Sequence, residues 1–279
     1  MQNQSGGARF KFIYRKGPAA EGLRMVHRVA DCGFANAYVV EERHGILVID
    51  PGSRGAADKV ESLVKDGLGK SMEEVMFIAA THFHIDHING IGRLIRRCPP
   101  ATKVIFHHRV RDYLDGTRKL TPMRNWLRGC LPVAIASLKY VQGIRDISFG
   151  ISGIPLPVLN GFCRIGFSRQ RVEFIGGNGR WRYGFGFGDW EIVETPGHTE
   201  DSISFYNSGS GDLVSGDFIL GYESCGKGKV ARFYWDREVL MRTFVRIRNE
   251  IKAANIYPGH GDAIHSPGNA LPGVQPLTL

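Results

Sequence analysis

The 279-residue sequence predicts an α/β protein. Short apolar runs typical of β-strands alternate along the chain with segments of helical spacing. Several of the strand-like runs are followed directly by His or Asp, at the position where layered α/β proteins place their functional side chains. The length also lies within the range that one large α/β domain spans. We therefore expect a single domain over residues 1–279, with extra structure inserted into it.

The first strands predict an antiparallel meander. Polar and apolar residues alternate at Arg9–Tyr14, a strand-like run follows at Ala37–Val40, and Gly45–Asp50 comes after an Arg43-His44 turn. An Asp-Pro-Gly turn then ends this meander.

Helices and strands alternate in the next part of the chain. Helical spacing of apolar residues predicts helices, and short continuous apolar runs predict buried strands. Cys98-Pro99-Pro100 ends one of these helices before the next strand begins. The predicted order is a helix at Ala56–Val64, a strand at Val75–Ala80, a helix at Ile88–Arg97, a strand at Lys103–Phe106 and a helix at His108–Leu114.

The middle of the chain, residues 115–165, is longer than one strand and one helix require. It is rich in Leu, Ile, Val and Pro, and Leu131–Val141 has the composition of a short helix with an apolar face. We expect this segment to form a lid or a homodimer contact. A helix lying on a membrane surface is the less favoured alternative, since the stretch is short and has few basic residues on a defined face.

A second set of strands follows the middle segment. Aromatic residues alternate with Gly and Arg over Phe162–Phe187, which predicts a hairpin turning at Gly176–Gly179. Further strands near Trp190–Glu194, Ser202–Tyr206 and Leu213–Ser215 precede a helix over Asp236–Ala253. The second half therefore repeats the pattern of the first.

Composition excludes several classes of protein. Hydrophobic residues make up 43% and charged residues 23% of the chain, which is ordinary for a globular protein, and no apolar run reaches the roughly 18 residues of a membrane span. The first 16 residues lack the apolar core of a secretory signal, so we expect a cytoplasmic protein. The five cysteines are scattered without a CxxC spacing, which predicts reduced thiols rather than disulfides or a zinc-thiolate site.

The chain carries a formal net charge of +9, and its basic residues concentrate in Arg93–Arg128 and Arg164–Arg182. This charge is consistent with a small anionic substrate, and equally with a solvated basic surface. A nucleic-acid partner is not expected, because no nucleic-acid-binding motif accompanies the charge.

The most informative motif is the run Thr81-His82-Phe83-His84-Ile85-Asp86-His87 after the predicted strand at Val75–Ala80. Imidazole and carboxylate are the groups that hold divalent ions such as zinc. Three imidazoles and a carboxylate so close together would repel one another in a folded core without a cation. One ion cannot use all four groups, so the run suggests two neighbouring ions.

Three further turns supply His or Asp after predicted strands: Thr195-Pro196-Gly197-His198-Thr199, Ser215-Gly216-Asp217 and Tyr257-Pro258-Gly259-His260-Gly261. In this order, HxHxDH, PGHT, SGD and PGHG closely resemble the motifs of the metallo-β-lactamase superfamily, from about Asn36 to about Asp262. The resemblance implies a four-layer αββα sandwich. It also implies that His82, His84 and His198 bind one metal ion, that Asp86, His87 and His260 bind a second, and that Asp217 bridges the two.

The chemistry expected of such a site is hydrolysis. Two divalent ions about 3.5–4 Å apart can share a water, lower its pKa and polarise the group under attack, so the nucleophile would be a metal-bridging hydroxide. Asp217 would hold the ions together and Asp86 would accept a proton as well as bind metal. The substrate would be a small ester, lactone, thioester or phosphodiester. Zinc is the expected ion, although iron and manganese suit the same ligands.

Other functions of the superfamily remain as alternatives. A mononuclear iron oxidoreductase resembling the persulfide dioxygenases would retain similar motifs, and a metal-binding protein without catalysis is a third class. His84 stands where the flavodiiron proteins have Glu, which disfavours oxygen reduction. The Asp217 carboxylate favours the lactonase, glyoxalase II and phosphodiesterase groups over true β-lactamases.

Residues beside the motifs have other expected roles. By resemblance, Asp50 would orient a ligand histidine, or else it only forms a Pro-Gly turn. Tyr222 is a candidate hydrogen-bond donor to a substrate oxygen. His107 and His108 follow a predicted strand but lie outside the ligand set, so we expect them to be packing or surface residues.

Overall fold

The computed structural model describes residues 25–156, 161–221 and 226–277. The predicted strand at Arg9–Tyr14 and the candidate donor Tyr222 lie outside these ranges.

Two six-stranded sheets and a small hairpin form the β-structure of the described residues. The strands are β1 Met25–Arg28, β2 Tyr38–Glu42, β3 Gly45–Ile49, β4 Val75–Ala79, β5 Lys103–His107, β6 Val172–Ile175, β7 Arg182–Gly184, β8 Trp190–Glu194, β9 Ile203–Asn207, β10 Asp212–Gly216, β11 Ile219–Leu220, β12 Lys229–Val230, β13 Asn255–Pro258 and β14 Ile264–His265. The α-helices are α1 Arg54–Ser62, α2 Ile85–Ile88, α3 Ile91–Leu94, α4 Arg109–Asp115, α5 Trp126–Ser137 and α6 Arg237–Glu250.

The first sheet has the order β1-β2-β3-β4-β5-β6 and the second has the order β14-β13-β10-β9-β8-β7. Strands β2 and β3 are antiparallel, as predicted for the opening meander, and β1, which the sequence did not predict, pairs antiparallel with β2. Strands β3 to β6 are parallel. In the second sheet β8, β10 and β13 run in one direction, with β9 antiparallel between the first two. Their carboxyl ends therefore lie on one edge of the sheet.

The sheets pack face to face, and the predicted four-layer αββα sandwich is confirmed. Strand side chains alternate between two apolar clusters because successive residues point to opposite faces. Tyr38 and Val40 of β2 lie in the cluster between the sheets, together with Phe205 and Val214 of the second sheet. Val39 points to the outer face, where helices such as α1 and α3 cover the first sheet. Helix α6 covers the second sheet through residues that include Leu240.

The hairpin predicted over Phe162–Phe187 is wrong. Strand β6 pairs in parallel with β5 in the first sheet, whereas β7 pairs with β8 in the second. Gly176 and Gly177 have φ of +96° and +79° and form the crossing between the sheets. A glycine-rich reversal has the same composition whether it joins two paired strands or two sheets, so the local sequence does not distinguish them.

Two predicted helices have different bounds in the structure. The helix expected at Ile88–Arg97 is divided into α2, α3 and a terminal 3₁₀ turn. The break is at Gly90, which packs tightly against the Asp-Pro-Gly turn. A Cβ on Gly90 would lie 1.8 Å from the carbonyl oxygen of Pro51. The helix expected at Leu131–Val141 begins earlier, at Trp126, and ends at Ser137. Within the described residues, no helix is long and apolar enough to cross a membrane.

Candidate metal centre

The candidate metal centre lies at the edge of the sandwich where four ligand-bearing strands end. His82 and His84 follow β4, Asp86 and His87 lie in the short helix α2, and the other three residues follow the second-sheet strands β8, β10 and β13. All seven residues that the sequence predicts as ligands come together here. Six of them are at most 3% exposed, and the Asp86 side chain is 24% exposed.

The first group of side chains consists of His82, His84 and His198. His82 Nε2 lies 2.9 Å from His84 Nδ1, and His198 Nε2 lies 3.2 Å from each of these atoms. Two nitrogens bound to one zinc at about 2.0–2.1 Å with tetrahedral angles are roughly 3.3 Å apart. The three nitrogens therefore have the mutual spacing of ligands around a single ion.

The second group consists of Asp86, His87 and His260. The Oδ2 atom of Asp86 lies 3.4 Å from His260 Nε2 and 3.9 Å from His87 Nε2. Each residue offers one atom within 4.8 Å of those from the other two, as a shared cation requires. This group is thus a second possible ion site, and it is the more open to solvent through Asp86.

Asp217 lies between the two groups. Its Oδ2 is 3.6 Å from His198 Nε2 in the first group and 3.2 Å from His260 Nε2 in the second. Its Oδ1 is 3.5 Å from His87 Nε2. One carboxylate therefore contacts histidines of both groups.

Hydrogen bonds on the outer side of four rings aim their Nε2 atoms inwards. His198 Nδ1 donates to the carbonyl of Phe233 at 2.9 Å, and His260 Nδ1 donates to the carbonyl of Phe34 at 2.7 Å. His82 Nδ1 lies 3.1 Å from the Thr81 hydroxyl, and His87 Nδ1 donates to Asp50. Such partners fix the tautomer that leaves Nε2 free as a ligand.

Asp50 connects two of these rings. Its Oδ2 accepts hydrogen bonds from the Thr81 hydroxyl at 2.7 Å and from His87 Nδ1 at 2.9 Å, while its Oδ1 accepts from the Thr81 backbone N–H at 2.7 Å. Because the Thr81 hydroxyl donates to Asp50, it can accept from His82 Nδ1. The geometry agrees with the positioning role that the resemblance implied for Asp50.

The pKa values of the histidines divide along the same two groups. Burial and the neighbouring imidazoles lower the pKa of His82, His84 and His198, which are therefore neutral near pH 7. Burial would also lower the pKa of His87, but the carboxylates of Asp50, Asp217 and Asp86 raise it to about 9.

The pKa values of His260, Asp86 and Asp217 are shifted by the same contacts between imidazoles and carboxylates. The pKa of His260 is raised well above its ordinary value, because Asp217 and Asp86 outweigh the effect of burial. The pKa values of Asp86 and Asp217 are lowered, since the adjacent imidazoles outweigh burial there too. Positive charge is thus strongly favoured at this end of the site.

The donors fit divalent metal ions. His87 Nε2 and Asp217 Oδ1 are buried and have no hydrogen-bond partner among the described residues, although both face the site. Buried polar atoms of this kind require a partner, and a cation between them would supply it. The site also has no room for a side chain at Gly259, where a Cβ would lie 2.2 Å from Asp217 Oδ1.

Several residues that support the site were not identified from the sequence. The buried Asp201 carboxylate accepts a hydrogen bond of 2.8 Å from the Phe83 backbone N–H, between His82 and His84. Its position three residues after His198 was the available signal. Asn36 donates from its side-chain amide to the carbonyls of Pro258 and Gly261, on either side of His260, at 2.8 Å each.

Two histidines lie outside the centre, as predicted. His107 is 5% exposed and packs against His108 with ring centroids 4.4 Å apart and the ring planes tilted by 52°. His107 Nε2 is also 3.6 Å from Glu194 Oε1. Both rings lie where β5, β6 and β8 end. Neither ring belongs to the two ligand groups.

The middle segment borders the centre through α5. Gly129 of α5 packs on the Phe233 side chain, so that a Cβ there would lie 2.7 Å from the ring. The Phe233 ring in turn packs edge-on against His198, with ring centroids 5.0 Å apart. The inner face of α5 is therefore separated from the first ligand group by a single aromatic side chain.

Sequence comparison identifies a family and several relatives of this chain. The sequence model described as the metallo-beta-lactamase superfamily matches residues 30–260. The chain is 25% identical over 212 residues to the probable metallo-hydrolase YflN of Bacillus subtilis, covering 75% of this chain and 69% of that protein. It is 27% identical over 248 residues to a probable metallo-hydrolase of Methanocaldococcus jannaschii, covering 85% of this chain and 93% of that protein.

Solved structures share the fold. A metallo-beta-lactamase superfamily protein from Sulfolobus tokodaii superposes with a TM-score of 0.52 and 18% identity, covering 87% of this chain and 82% of that one. The B3 metallo-beta-lactamase BLEG-1 superposes with a TM-score of 0.51 and 17% identity, covering 86% and 94% of the two chains. At these identities the likeness concerns the fold alone.

Proposed function

Because the chain belongs to the metallo-β-lactamase superfamily, we propose that it is a hydrolase whose active site holds two divalent metal ions. The proposal uses all seven side chains that converge at the sheet edge. His82, His84 and His198 would hold one ion, and Asp86, His87 and His260 would hold the other. Two curated relatives carry the name of probable metallo-hydrolase, which supports hydrolysis as the type of reaction.

The position of Asp217 carries the proposal of a dinuclear centre. Its carboxylate oxygens lie 3.2–3.6 Å from histidine nitrogens of both groups. A carboxylate in this position can contribute a ligand oxygen to an ion in either group. A bridging carboxylate is the arrangement that holds two ions at the short separation used in two-metal hydrolysis.

The ions would be zinc, or iron or manganese according to supply, since His and carboxylate ligands accept all three. When bound, such ions supply Lewis acidity and lower the pKa of water towards neutrality. We propose a small substrate with an ester, lactone, thioester or phosphodiester group, in keeping with this chemistry and with the net charge of +9.

The protein's own residues would orient the ligands and transfer protons. Asp50 keeps the His87 ring in the orientation that directs Nε2 into the site, and Thr81 does the same for His82. Asp86 is the most exposed ligand and can exchange a proton with a substrate group or solvent. The Phe233 ring excludes water from the buried side of His198.

We further propose that residues 1–279 form one domain in which the segment 115–165 serves as a lid. Helix α5 of this segment packs against Phe233, next to the first ligand group. Substrate selectivity would then depend on the segment, because the ligand residues alone do not distinguish one ester-like group from another.

Metal analysis combined with a substrate panel tests the proposal. The wild-type chain should bind two ions, and with zinc or manganese it should hydrolyse an activated phosphodiester, a lactone or a thioester. Asp217→Ala should bind fewer ions and lose most of the turnover. Asp66→Ala is the control and should match wild type, because Asp66 is exposed in the helical turn Leu63–Gly67 that follows α1.

Other results would contradict the proposal. One iron per chain with oxygen consumption would indicate the mononuclear dioxygenase alternative. A protein that binds no divalent ion under any loading condition, or turnover unchanged in Asp217→Ala, would exclude the dinuclear hydrolase.

A further inference from the structure

Large hydrophobic side chains are exposed in one part of the molecule. Of the twelve that are exposed among the described residues, nine lie in the segment 115–165. Single exposed hydrophobic residues are normal on any protein, but such a concentration marks an interaction surface. This observation is independent of the metal centre.

Four of these side chains form a stripe along α5 and its 3₁₀ extension. They occur at intervals of four, four and three residues, which places them on one face of a helix. The stripe consists of Leu127, Leu131, Ile135 and Leu138, which are 60%, 56%, 59% and 55% exposed.

The opposite face of α5 is already packed. Gly129 and Val133 are buried there, and Val133 belongs to an apolar cluster with Phe233. The helix is therefore held in place by its buried face, and the stripe is exposed in this packed position. It is a second apolar face that no described residue covers.

Positive charge accompanies the stripe. The segment 115–165 contains seven basic and two acidic residues. Both acids are paired: Asp146 with Lys59 at 2.7 Å, and Asp115 with Arg169. Arg118 and Arg145 in turn pair with Glu200 and Asp58 outside the segment, and the segment itself keeps an excess of five basic residues over acidic ones.

A basic cavity adjoins the amino-terminal end of α5. Its volume is about 360 Å³, and the described residues that line it include four cationic side chains and no acidic one. The cationic residues are Arg128 of α5 itself together with Lys229, Arg232 and Arg237. Arg128 lies three residues before Leu131 in α5, the spacing of neighbours on a helix surface, so the cavity borders the stripe.

We propose that this face docks on an anionic lipid bilayer, with the stripe of Leu127, Leu131, Ile135 and Leu138 in the interface and the basic cavity against phosphate headgroups. An interfacial helix has these two components: an apolar face buried among acyl chains and basic residues near anionic lipid. The 12 residues of α5 are sufficient, because such a helix lies in the plane of the bilayer and does not span it.

Charge favours a bilayer over a second copy of the chain. A symmetric dimer pairs this surface with a second copy of itself, so two surfaces of the same net positive charge would face each other. Like charges in such a contact repel, whereas the same charges attract an anionic bilayer.

Vesicle sedimentation with the full chain tests the apolar component. Wild type should bind phosphatidylcholine vesicles that contain phosphatidylglycerol, and Leu131→Ser should bind them about tenfold more weakly, as the loss of one buried leucine predicts. Val245→Ser is the matched control, because Val245 is 54% exposed on α6 and should leave binding unchanged.

Vesicle composition and arginine variants test the electrostatic component. Binding should fall sharply on pure phosphatidylcholine vesicles and at high salt. Arg128→Gln should weaken binding to the anionic vesicles about fivefold, the effect of one cation of about 1 kcal/mol near the bilayer. Arg242→Gln, whose side chain is 70% exposed on α6, should have no effect.

Three outcomes would overturn the proposal. They are no binding of wild type to the anionic vesicles, equal binding by Leu131→Ser, and equal binding to neutral and anionic vesicles. Light scattering adds a further decisive result: a wild-type dimer that Leu131→Ser converts to a monomer would assign the stripe to a second copy. None of these measurements depends on hydrolytic activity or on metal content, so their result is separate from that of the proposed function.

Discussion

The carboxylate of Asp50 accepts a hydrogen bond from His87 Nδ1 at 2.9 Å, and both side chains are almost completely buried. Asp50 follows β3 and His87 lies in α2 beyond the next strand, so the contact joins two loops at one edge of the first sheet. Asp50 has φ of +55°, a conformation that few residues other than glycine adopt. The backbone is held there by the hydrogen bonds that its side chain accepts.

Asp50→Asn should weaken metal binding about 10–100-fold, as expected for loss of a partner that orients a ligand histidine. An amide cannot accept from the Thr81 hydroxyl, the Thr81 N–H and His87 Nδ1 in the way that the carboxylate does. Metal titration would measure the effect, and Asp66→Asn on the surface is the control. Unchanged affinity would show that Asp50 only shapes its turn.

Metal loading at pH 7 should release about two protons per chain from the histidines, in addition to the proton lost when a metal-bound water becomes hydroxide. In the metal-free protein the pKa of His87 is about 9 and that of His260 is also raised, so both imidazoles are protonated at pH 7 and must lose their protons to bind an ion. His82, His84 and His198 have lowered pKa values and contribute none. Calorimetry in buffers of different ionisation enthalpy counts the protons.

The same division predicts which ion is lost on acidification. Protons compete for a ligand below its pKa, so a fall from pH 7 to about 5.5 should remove the ion near His87 and His260 before the ion at His82, His84 and His198. Metal retained per chain after dialysis at each pH measures this order. Simultaneous loss of both ions, or no proton release at pH 7, would contradict the assignment.

Gly259→Ala should disrupt the metal centre and destabilise the fold by about 1–3 kcal/mol, the usual cost of overpacking. The added Cβ would lie 2.2 Å from Asp217 Oδ1 and 2.9 Å from His87 Cε1, so one of these groups must move. Metal content and thermal unfolding would record the change. Gly273→Ala is the control, since nothing lies within 4 Å of a Cβ at that position.

Asp201→Ala should destabilise the protein by about 1–3 kcal/mol, because it leaves the buried Phe83 N–H without an acceptor. The loop between His82 and His84 would lose its anchor, and metal affinity should fall together with stability. Urea unfolding with and without zinc distinguishes the two effects. Stability and affinity equal to those of Asp66→Ala would exclude an anchoring role.

Much of the fold was predictable from local patterns. The strands β2 to β5 and β8 to β10 were predicted within a few residues, because apolar runs bounded by turns are typical of buried strands. The crossing at Gly176 and Gly177 was not predictable, because a turn has the same composition whichever strand its exit pairs with. Strand β1 at Met25–Arg28 was also missed, since its four residues do not form a clear alternation.

The candidate ligands were predictable for a different reason. Seven residues of the two types that bind divalent ions each occur on a turn after a strand, and their order is that of the superfamily motifs. The groups that orient these ligands were harder to predict from the sequence. Two are the backbone carbonyls of Phe233 and Phe34, and every backbone position carries such an acceptor.

The sequence by itself determined the superfamily, the layered α/β architecture and the identity of the candidate ligands, because these depend on residue types at fixed order and spacing. Only the tertiary structure decided the distances at which the ligands and Asp217 meet, and that α5 carries a buried and an exposed apolar face. These features depend on distances between atoms far apart in the chain. The packing of two sheets sets those distances, and no local pattern encodes it.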